Sequence, residues 1–244
     1  MEGAVTATAD PRTVAADRGV AWWTEAWALF TKAAGMWIVL GIVLFLVLMV
    51  LSVIPVLGML AATLLVPVFM AGWVLAARKV QGGGTLELGD LFTAFRGDKL
   101  VPLIVVGALL MAATLVLGLV MGVLGIGAVF GMMAGGATHS AGGIFAALGA
   151  GMLALLVGLL VGVLMAMALW FAPSLVVFRG VAPVDAMRIS FAASLKNMVP
   201  MLVYGLIYIA ASIVASIPFG LGWIVLVPVT LLSVHTAYED VFGA

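Results

Sequence analysis

The side chains that could perform chemistry are few, and they form no catalytic pattern. His235 is followed by Glu239 one helical turn later, and His139 comes shortly after Met132 and Met133. Imidazole and thioethers suit a soft metal such as copper, but adjacent methionines point apart on a helix and one histidine supplies too few ligands. We therefore expect no metal site and no cofactor, and we interpret His235 as an interfacial anchor.

Hydrolysis of a lipid ester would need a nucleophile with a base, or paired carboxylates with metal ligands. The sequence contains no cysteine, no HExxH motif and no GxSxG motif. Its carboxylates stand among basic residues, where ordinary ion pairing explains them. The run Gly82-Gly83-Gly84 lacks the Lys and Ser or Thr of a phosphate loop. We expect a protein that is not an enzyme.

Composition points to a membrane instead of water as the solvent for most side chains. Hydrophobic residues make up 66% of the 244 residues and charged residues only 8%, against about 25% charged in a soluble domain. Six apolar runs are long enough to cross about 30 Å of hydrocarbon. These runs cover residues 37–54, 56–77, 101–124, 149–177, 200–217 and 221–237. With turns at Pro55 and Pro218, they predict an all-α integral membrane protein with six transmembrane helices in three hairpins.

The charges predict how the chain is oriented. All ten basic and all ten acidic residues fall on one side of the six-span arrangement, and the positive-inside rule assigns that side to the cytoplasm. The opposite loop, 125–143, carries no formal charge and should barely protrude. We expect a multi-pass protein of a bacterial inner membrane with both termini cytoplasmic. The zero net charge argues against a nucleic-acid partner.

Residues 1–16 lack the basic and apolar segments of a signal peptide, and they are interpreted as a disordered cytoplasmic tail. Residues 17–244 then form one membrane domain. Within it, a Gly stands early in each odd span and a Pro interrupts each even span. These residues are Gly41, Gly107 and Gly205, and Pro67, Pro173 and Pro228. The pattern predicts three parallel repeats, 17–80, 85–179 and 183–242, although apolar composition alone would produce part of the likeness.

An amphipathic stretch precedes each odd span and is expected to lie in the membrane interface. Trp22, Trp23 and Trp27 share one face of the first stretch, which is typical of a helix anchored by tryptophan. The second stretch lies around residues 90–95. The third has an apolar stripe that consists of Val184, Met187, Phe191 and Leu195. We therefore predict that an interfacial helix leads into each hairpin.

Eight basic residues would lie beside these helices, near the headgroups. They are Lys32, Arg78, Lys79, Arg96, Lys99, Arg179, Arg188 and Lys196. Together with the three tryptophans they predict a surface that contacts anionic phospholipid. The same charges would also be present if they served only to fix topology.

Two further patterns lie inside the spans. The pairs Gly118 with Gly122 and Gly158 with Gly162 have small-xxx-small spacing, which predicts tight packing between the third and fourth spans. A separate hydroxyl-bearing face, formed by Tyr204, Tyr208 and Ser212, would line a polar groove or bond to neighbouring helices. No Asp, Glu, Lys or Arg lies within a span, which argues against a proton-driven pump.

Several fragments carry a family resemblance. They are residues 170–178 (WFAPSLVVF), Ser190 with the following stretch to 197–200 (NMVP), 204–205 (YG), 220–222 (GLG) and 238–242 (YEDVF). With them, residues 20 to 242 resemble a family of uncharacterised proteobacterial inner-membrane proteins. They are similar, more distantly, to the membrane domain fused to some glycerophosphodiester phosphodiesterases. The resemblance implies a location and an architecture, but no activity.

The leading functional hypothesis is a non-catalytic, lipid-interacting or scaffold protein of the membrane. Its partners would be membrane phospholipids and other membrane proteins of a larger complex. The alternative is a passive transporter or lipid translocator with a groove between helix hairpins.

Overall fold

The computed structural model describes residues 10–137 and 141–243, and within those two ranges the chain is helical and has no strand. A short 3-10 helix, Leu88–Phe95, lies between the third and fourth α-helices. The α-helices are α1 (Arg18–Thr31), α2 (Ala34–Ser52), α3 (Leu57–Gln81), α4 (Leu100–Ala137), α5 (Ala141–Trp170), α6 (Ala172–Arg179), α7 (Pro183–Lys196), α8 (Met198–Ser216) and α9 (Trp223–Phe242).

Six helical segments are long and apolar enough to cross a membrane, which confirms the predicted all-α class with six spans. They are Ala34–Ser52, Leu57–Gln81, Leu100–Ile126, Leu148–Arg179, Met198–Ser216 and Trp223–Phe242. Each overlaps one of the apolar runs that the sequence indicates. The chain is therefore a multi-pass membrane protein.

The segment 125–143 differs from the expected loop. Helix α4 continues to Ala137, and α5 begins at Ala141. Glycine costs only about 1 kcal/mol in a helix interior, and an apolar environment requires that the backbone satisfy its own hydrogen bonds. The described glycine-rich residues, up to Ala137 and from Ala141 onward, consequently stay helical. His139 lies outside the described residues.

The chain divides into two compact units, which we call the packed unit and the hairpin unit. The packed unit contains residues 1–108 and 167–244, and the hairpin unit contains residues 109–166. All the largest completely buried side chains, such as Trp22, Trp37 and Trp73, lie in the packed unit. In the hairpin unit, Ala154 is the one buried hydrophobic residue among those described.

Within the packed unit, each short helix that precedes a hairpin packs against a helix from another hairpin. The 3-10 helix lies on α3, α7 lies on α6, and α1 lies on α9. Glycine allows close approach where the 3-10 helix lies on α3 and at a further contact, that of α1 with α8. A side chain at Gly72 would collide with the carbonyl of Leu91, and one at Gly19 would collide with the carbonyl of Pro200.

Helix α7 packs on the protein with a face that differs from the predicted apolar stripe. Its buried residues are Ala186, Ser190, Ala193 and Ser194, whereas Val184 and Leu195 are exposed. The reason is a break between α5 and α6. The hydroxyl of Ser190 accepts a hydrogen bond from the Phe171 amide (2.9 Å) and donates to the Met167 carbonyl (2.7 Å). It therefore bridges two groups that would otherwise bond directly in a continuous helix.

Part of the segment assigned to a disordered tail is held by hydrogen bonds in the structure. The Arg12 amide donates to the Val241 carbonyl (2.8 Å), and the Val14 amide donates to Oδ1 of Asn197 (2.8 Å). Lys196 adds a bond from its ammonium to the Pro11 carbonyl (2.6 Å). Residues 11–14 are thus held against α7 and α9, by partners that no sequence pattern links to them.

Candidate lipid-contacting site

A network of buried and half-buried polar groups joins α1 to the end of α9. Nε of Arg18 and Nε1 of Trp22 both donate to Oδ2 of Asp240, over 2.6 and 2.9 Å. Arg18 also pairs with Glu25 at 2.9 Å. The hydrogen bond to Asp240 raises the pKa of Arg18 above its ordinary value, while partial burial opposes that shift. The network fixes the position of α1 on the packed unit.

The three predicted tryptophan anchors have different environments. Trp22 is completely buried, so the structure corrects the expectation that it contacts lipid headgroups. Trp23 stacks on Tyr204, with ring centroids 4.8 Å apart. Only Trp27 is largely exposed, at 51%. The apolar face of α1 therefore covers α8 and α9 for most of its length, because Gly19 allows it to approach closely.

Most of the eight predicted lipid-contacting cations have partners within the protein. Lys79 pairs with Asp90 at 3.0 Å, and Lys99 pairs with Asp98 at 2.8 Å. The hydrogen bond from Lys99 lowers the pKa of the exposed Asp98 carboxyl. The remaining contacts are Arg188 with Asp185 (3.7 Å), Arg179 with the Phe242 carbonyl (2.5 Å), Lys196 with the Pro11 carbonyl (2.6 Å) and Arg78 over the Phe178 ring (4.0 Å).

Lys32 and Arg96 are the two members of that set whose side chains have no ion pair, hydrogen bond or aromatic contact with a described residue. Both side chains are exposed. Lys32 lies directly before α2 begins at Ala34, and Arg96 lies at the end of the 3-10 helix. These two cations are the ones best placed to take an external anion.

A polar pocket of about 260 Å³ lies where α1, α3 and α9 meet. Its polar lining comes from Glu25, Lys32, Gln81, Thr236 and Glu239. Gln81 donates to Oε2 of Glu239 (2.7 Å), and its amide oxygen lies 2.7 Å from Nε2 of His235. The imidazole of His235 is itself fully buried, and its Nδ1 has no partner among the described groups. Carboxylate, amide and ammonium groups therefore converge at this point.

An apolar groove of about 490 Å³ runs between α2 and the start of α9. Gly41, Phe45 and Leu48 line one wall, and Trp223 and Ile224 line the other. A side chain at Gly41 would approach Cγ of Pro228 to 3.2 Å, so glycine keeps the two helices close at one end of the groove. None of the described residues that line it is ionisable.

The predicted polar groove forms only in part. Tyr204 is buried and its hydroxyl lies 2.8 Å from Oγ of Ser233, so it bonds to α9 and does not line a groove. Tyr208 and Ser212 do share an open depression of about 520 Å³ with Trp223. However, the Ser212 hydroxyl donates to the Tyr208 carbonyl at 2.7 Å, so it is satisfied within its own helix.

The predicted glycine packing in the hairpin unit is not formed at three of the four positions. A side chain at Gly118, Gly122 or Gly162 would meet no heavy atom within 4 Å. At Gly158 the nearest atom is Cε of Met121, at 3.3 Å, which is a flexible side chain and not backbone. The small residues here lack a close helix neighbour among the described residues.

Sequence reasoning missed Asp240, Gln81 and Ser190. One signal was available, because Glu239 and Asp240 stand at the end of a helix, where the helix dipole disfavours negative charge. Carboxylates at such a position indicate specific donors, here Arg18, Trp22 and Gln81. Across the described residues, no group of three or more metal-ligating side chains comes together.

Comparison with known proteins identifies one family. Residues 17–242 match the model of DUF7847, a domain of unknown function. No curated protein and no solved structure matches the chain significantly. The resemblance to proteobacterial proteins and to the phosphodiesterase membrane domain stays a prediction. Because the match covers nearly the whole chain, this multi-pass membrane protein belongs to the DUF7847 family.

Proposed function

We propose that this protein is a non-catalytic, lipid-binding protein of a bacterial inner membrane. The observation that carries the proposal is the apolar groove between α2 and α9, which is large enough for an acyl chain and has no ionisable side chain among the described residues that line it. The groove lies on spans whose outward residues, such as Phe45 (64% exposed), must face hydrocarbon. Because phospholipid acyl chains surround these spans, an acyl chain is the expected occupant of the groove.

The alternative function, a passive transporter or lipid translocator, is favoured by the position of the groove. It separates α2 from α9, which belong to different predicted hairpins. A translocator must also accommodate a headgroup as it crosses the hydrocarbon, and burying an unpaired polar group there is costly. Because the lining is apolar, the groove suits a stationary chain better than a moving headgroup.

The end of the packed unit that carries Lys32 and Arg96 faces the cytoplasm in this proposal. All ten basic residues fall on this same side of the predicted six-span arrangement. Anionic lipids of the cytoplasmic leaflet would provide their counter-charge. A reporter enzyme that is active only in the cytoplasm should work when fused at Gly82 or at Ala244. Activity of a periplasmic reporter at both positions would contradict the orientation.

An internal threefold repeat is part of the proposal. Its support is that the three short helices pack in one cyclic order, each against the last helix of the hairpin before it: 3-10 helix on α3, α7 on α6, and α1 on α9. The ion pair Lys79–Asp90 in the first contact and Arg18–Asp240 in the last occupy similar places. A scaffold role for other membrane proteins would use the exposed apolar side chains of the hairpin unit.

The lipid-binding proposal is tested by filling the groove. Leu48→Trp places a larger side chain in the groove, and Leu206→Trp makes the same change at an exposed position of α8 that lines neither groove nor pocket. Native mass spectrometry of the detergent-purified protein counts the phospholipids that stay bound. We expect Leu48→Trp to retain one phospholipid fewer than the wild type and Leu206→Trp. Equal counts in all three proteins would contradict lipid binding in the groove.

A further inference from the structure

The polar pocket between α1, α3 and α9 has an uncommon combination of charges. Two carboxylates, Glu25 and Glu239, line it together with one ammonium, that of Lys32. It lies at the level where α2 and α9 leave the apolar region, since Lys32 precedes Ala34 and Glu239 is close to the end of α9. Trp27, exposed on the adjacent turn of α1, is typical of headgroup depth.

Some polar atoms of the pocket have no hydrogen-bond partner among the described residues. Oε1 of Glu25 accepts from Arg18, and Oε2 of Glu239 accepts from Gln81, but the second oxygen of each carboxylate lacks a close donor among the described residues. Nε2 of His235 lies 3.5 Å from Oε1 of Glu239. Lys32 likewise has no anion within reach in the described part of the chain. Two acceptors and one cation therefore stay open.

These open groups complement a small zwitterion. Three N–H bonds of a primary ammonium would satisfy carboxylate oxygens through charge-assisted hydrogen bonds, and a phosphate would satisfy the lysine. The pocket volume of about 260 Å³ is below that of sites for whole drug-sized ligands, so it fits a headgroup and not a complete lipid. A trimethylated ammonium has no N–H to donate, and it would leave the second oxygen of each carboxylate without a hydrogen bond.

We propose that this pocket binds the headgroup of an ethanolamine phospholipid, with the primary ammonium at Glu25 and Glu239 and the phosphate at Lys32. The proposal rests on the proposed lipid-binding function and names the lipid class. It concerns a site separate from the apolar groove, because none of the pocket residues lines that groove.

The test measures lipid binding to the full chain in detergent by native mass spectrometry. The probes are phosphatidylethanolamine, phosphatidylcholine and phosphatidylglycerol with identical acyl chains. The site variant is Lys32→Gln with Glu239→Gln, which removes one cation and one carboxylate. The control is Arg188→Gln with Asp185→Asn, which makes the same charge changes on α7, outside the pocket. Melting temperature in detergent verifies that both variants fold, and Glu25→Gln serves as a second site variant.

We expect phosphatidylethanolamine to bind at least about tenfold more tightly than phosphatidylcholine. That preference should disappear in the site variants and persist in the control. Equal binding of all three lipids, or a preference that survives Glu239→Gln and Glu25→Gln, would overturn the pocket assignment while lipid binding itself stands. Loss of all bound lipid in every protein would overturn both proposals. Competition by soluble glycerophosphoethanolamine as strong as that of the lipid would overturn the assignment to a lipid.

Discussion

The packed unit and the hairpin unit have similar apolar sequences but very different interiors. In the packed unit, Trp22, Trp37 and Phe171 are completely buried, and hydroxyl and carboxylate groups join separate helices. In the hairpin unit, Leu119, Phe130 and Leu155 are about two-thirds exposed, and the one described hydroxyl, of Thr114, bonds to its own helix. Apolar composition alone therefore does not bring helices together.

The difference has a physical cause. Lipid tails solvate leucine as well as protein does, so helices in a membrane associate through close packing and interhelical hydrogen bonds. The packed unit has both, at Gly19 and Gly72 and at Ser190 and Asp240. The hairpin unit has glycines as well, but nothing described packs into the space at Gly118 or Gly122. A glycine motif marks a helix contact only where a partner backbone is present.

The largest expected effect is that of removing a buried aromatic side chain. Trp22→Ala should lower the free energy of unfolding by about 3–5 kcal/mol, since it leaves a cavity and removes a donor from Asp240. Phe130→Ala, at an exposed position of the hairpin unit, should change it by less than about 0.5 kcal/mol. Thermal unfolding in mild detergent measures both. Similar losses for the two variants would remove the distinction between the units.

A smaller effect is expected from adding one methyl group. Gly72→Ala should destabilise the protein by about 1–3 kcal/mol, because the new Cβ collides with the carbonyl of Leu91. Gly118→Ala meets open space and removes a flexible residue from a helix, so it should leave stability unchanged or raise it by up to about 1 kcal/mol. If Gly118→Ala lowers stability as much as Gly72→Ala does, a neighbouring helix packs closely against Gly118, contrary to the structure.

The bridge between α5 and α7 gives the next prediction. Ser190→Ala should cost about 1–3 kcal/mol, because the amide of Phe171 and the carbonyl of Met167 lose their shared buried partner. Ser212→Ala is the control, since that hydroxyl bonds only to the carbonyl of Tyr208 in its own helix. The same melting measurement compares them. Unchanged stability in Ser190→Ala would mean that the helix straightens and that α7 does not depend on the break.

The smallest effects concern pH. Asp98 has a lowered pKa, so its pair with Lys99 contributes above the ordinary carboxyl value of 3.8 and is lost as pH falls through the folded pKa. Arg18 has a raised pKa, so the stability that its charged form contributes is lost only as pH rises through that pKa, far above the range tested. Between pH 5 and 9, Asp98→Asn and the wild type should melt alike, because the Asp98 side chain is 80% exposed. A difference in melting temperature that grows with pH over this range would contradict the expectation that the exposed Asp98–Lys99 pair contributes little to stability.

The number and approximate bounds of the spans could be predicted because apolar runs of bilayer length have one stable solution. The burial of Trp22 could not, since a tryptophan face packs equally well on lipid or on protein, and the choice depends on Gly19 and Pro200, far apart in sequence. The face with which α7 packs on the protein could not be predicted either, for a similar reason. Ser190 is buried because its hydroxyl bonds to backbone groups that are free only where the helix breaks at Phe171.

The approximate location of the candidate site could be predicted from the sequence, but the arrangement of its side chains could not. The sequence placed Lys32 and Arg96 near the headgroups, yet it gave no means of separating them from Lys79 or Lys99, whose carboxylate partners are set by the fold. Glu239, assigned no role beyond ion pairing, became part of a pocket because α1 and α3 end beside it.

The most direct test of lipid binding is a cryo-electron microscopy map of the protein in a lipid nanodisc. Elongated density of an acyl chain should fill the groove between α2 and α9, along Phe45, Leu48 and Ile224. The more open depression at Tyr208 and Ser212 should show none that is equally ordered. A groove that is closed by the helices themselves, or that contains only water, would contradict the proposed function.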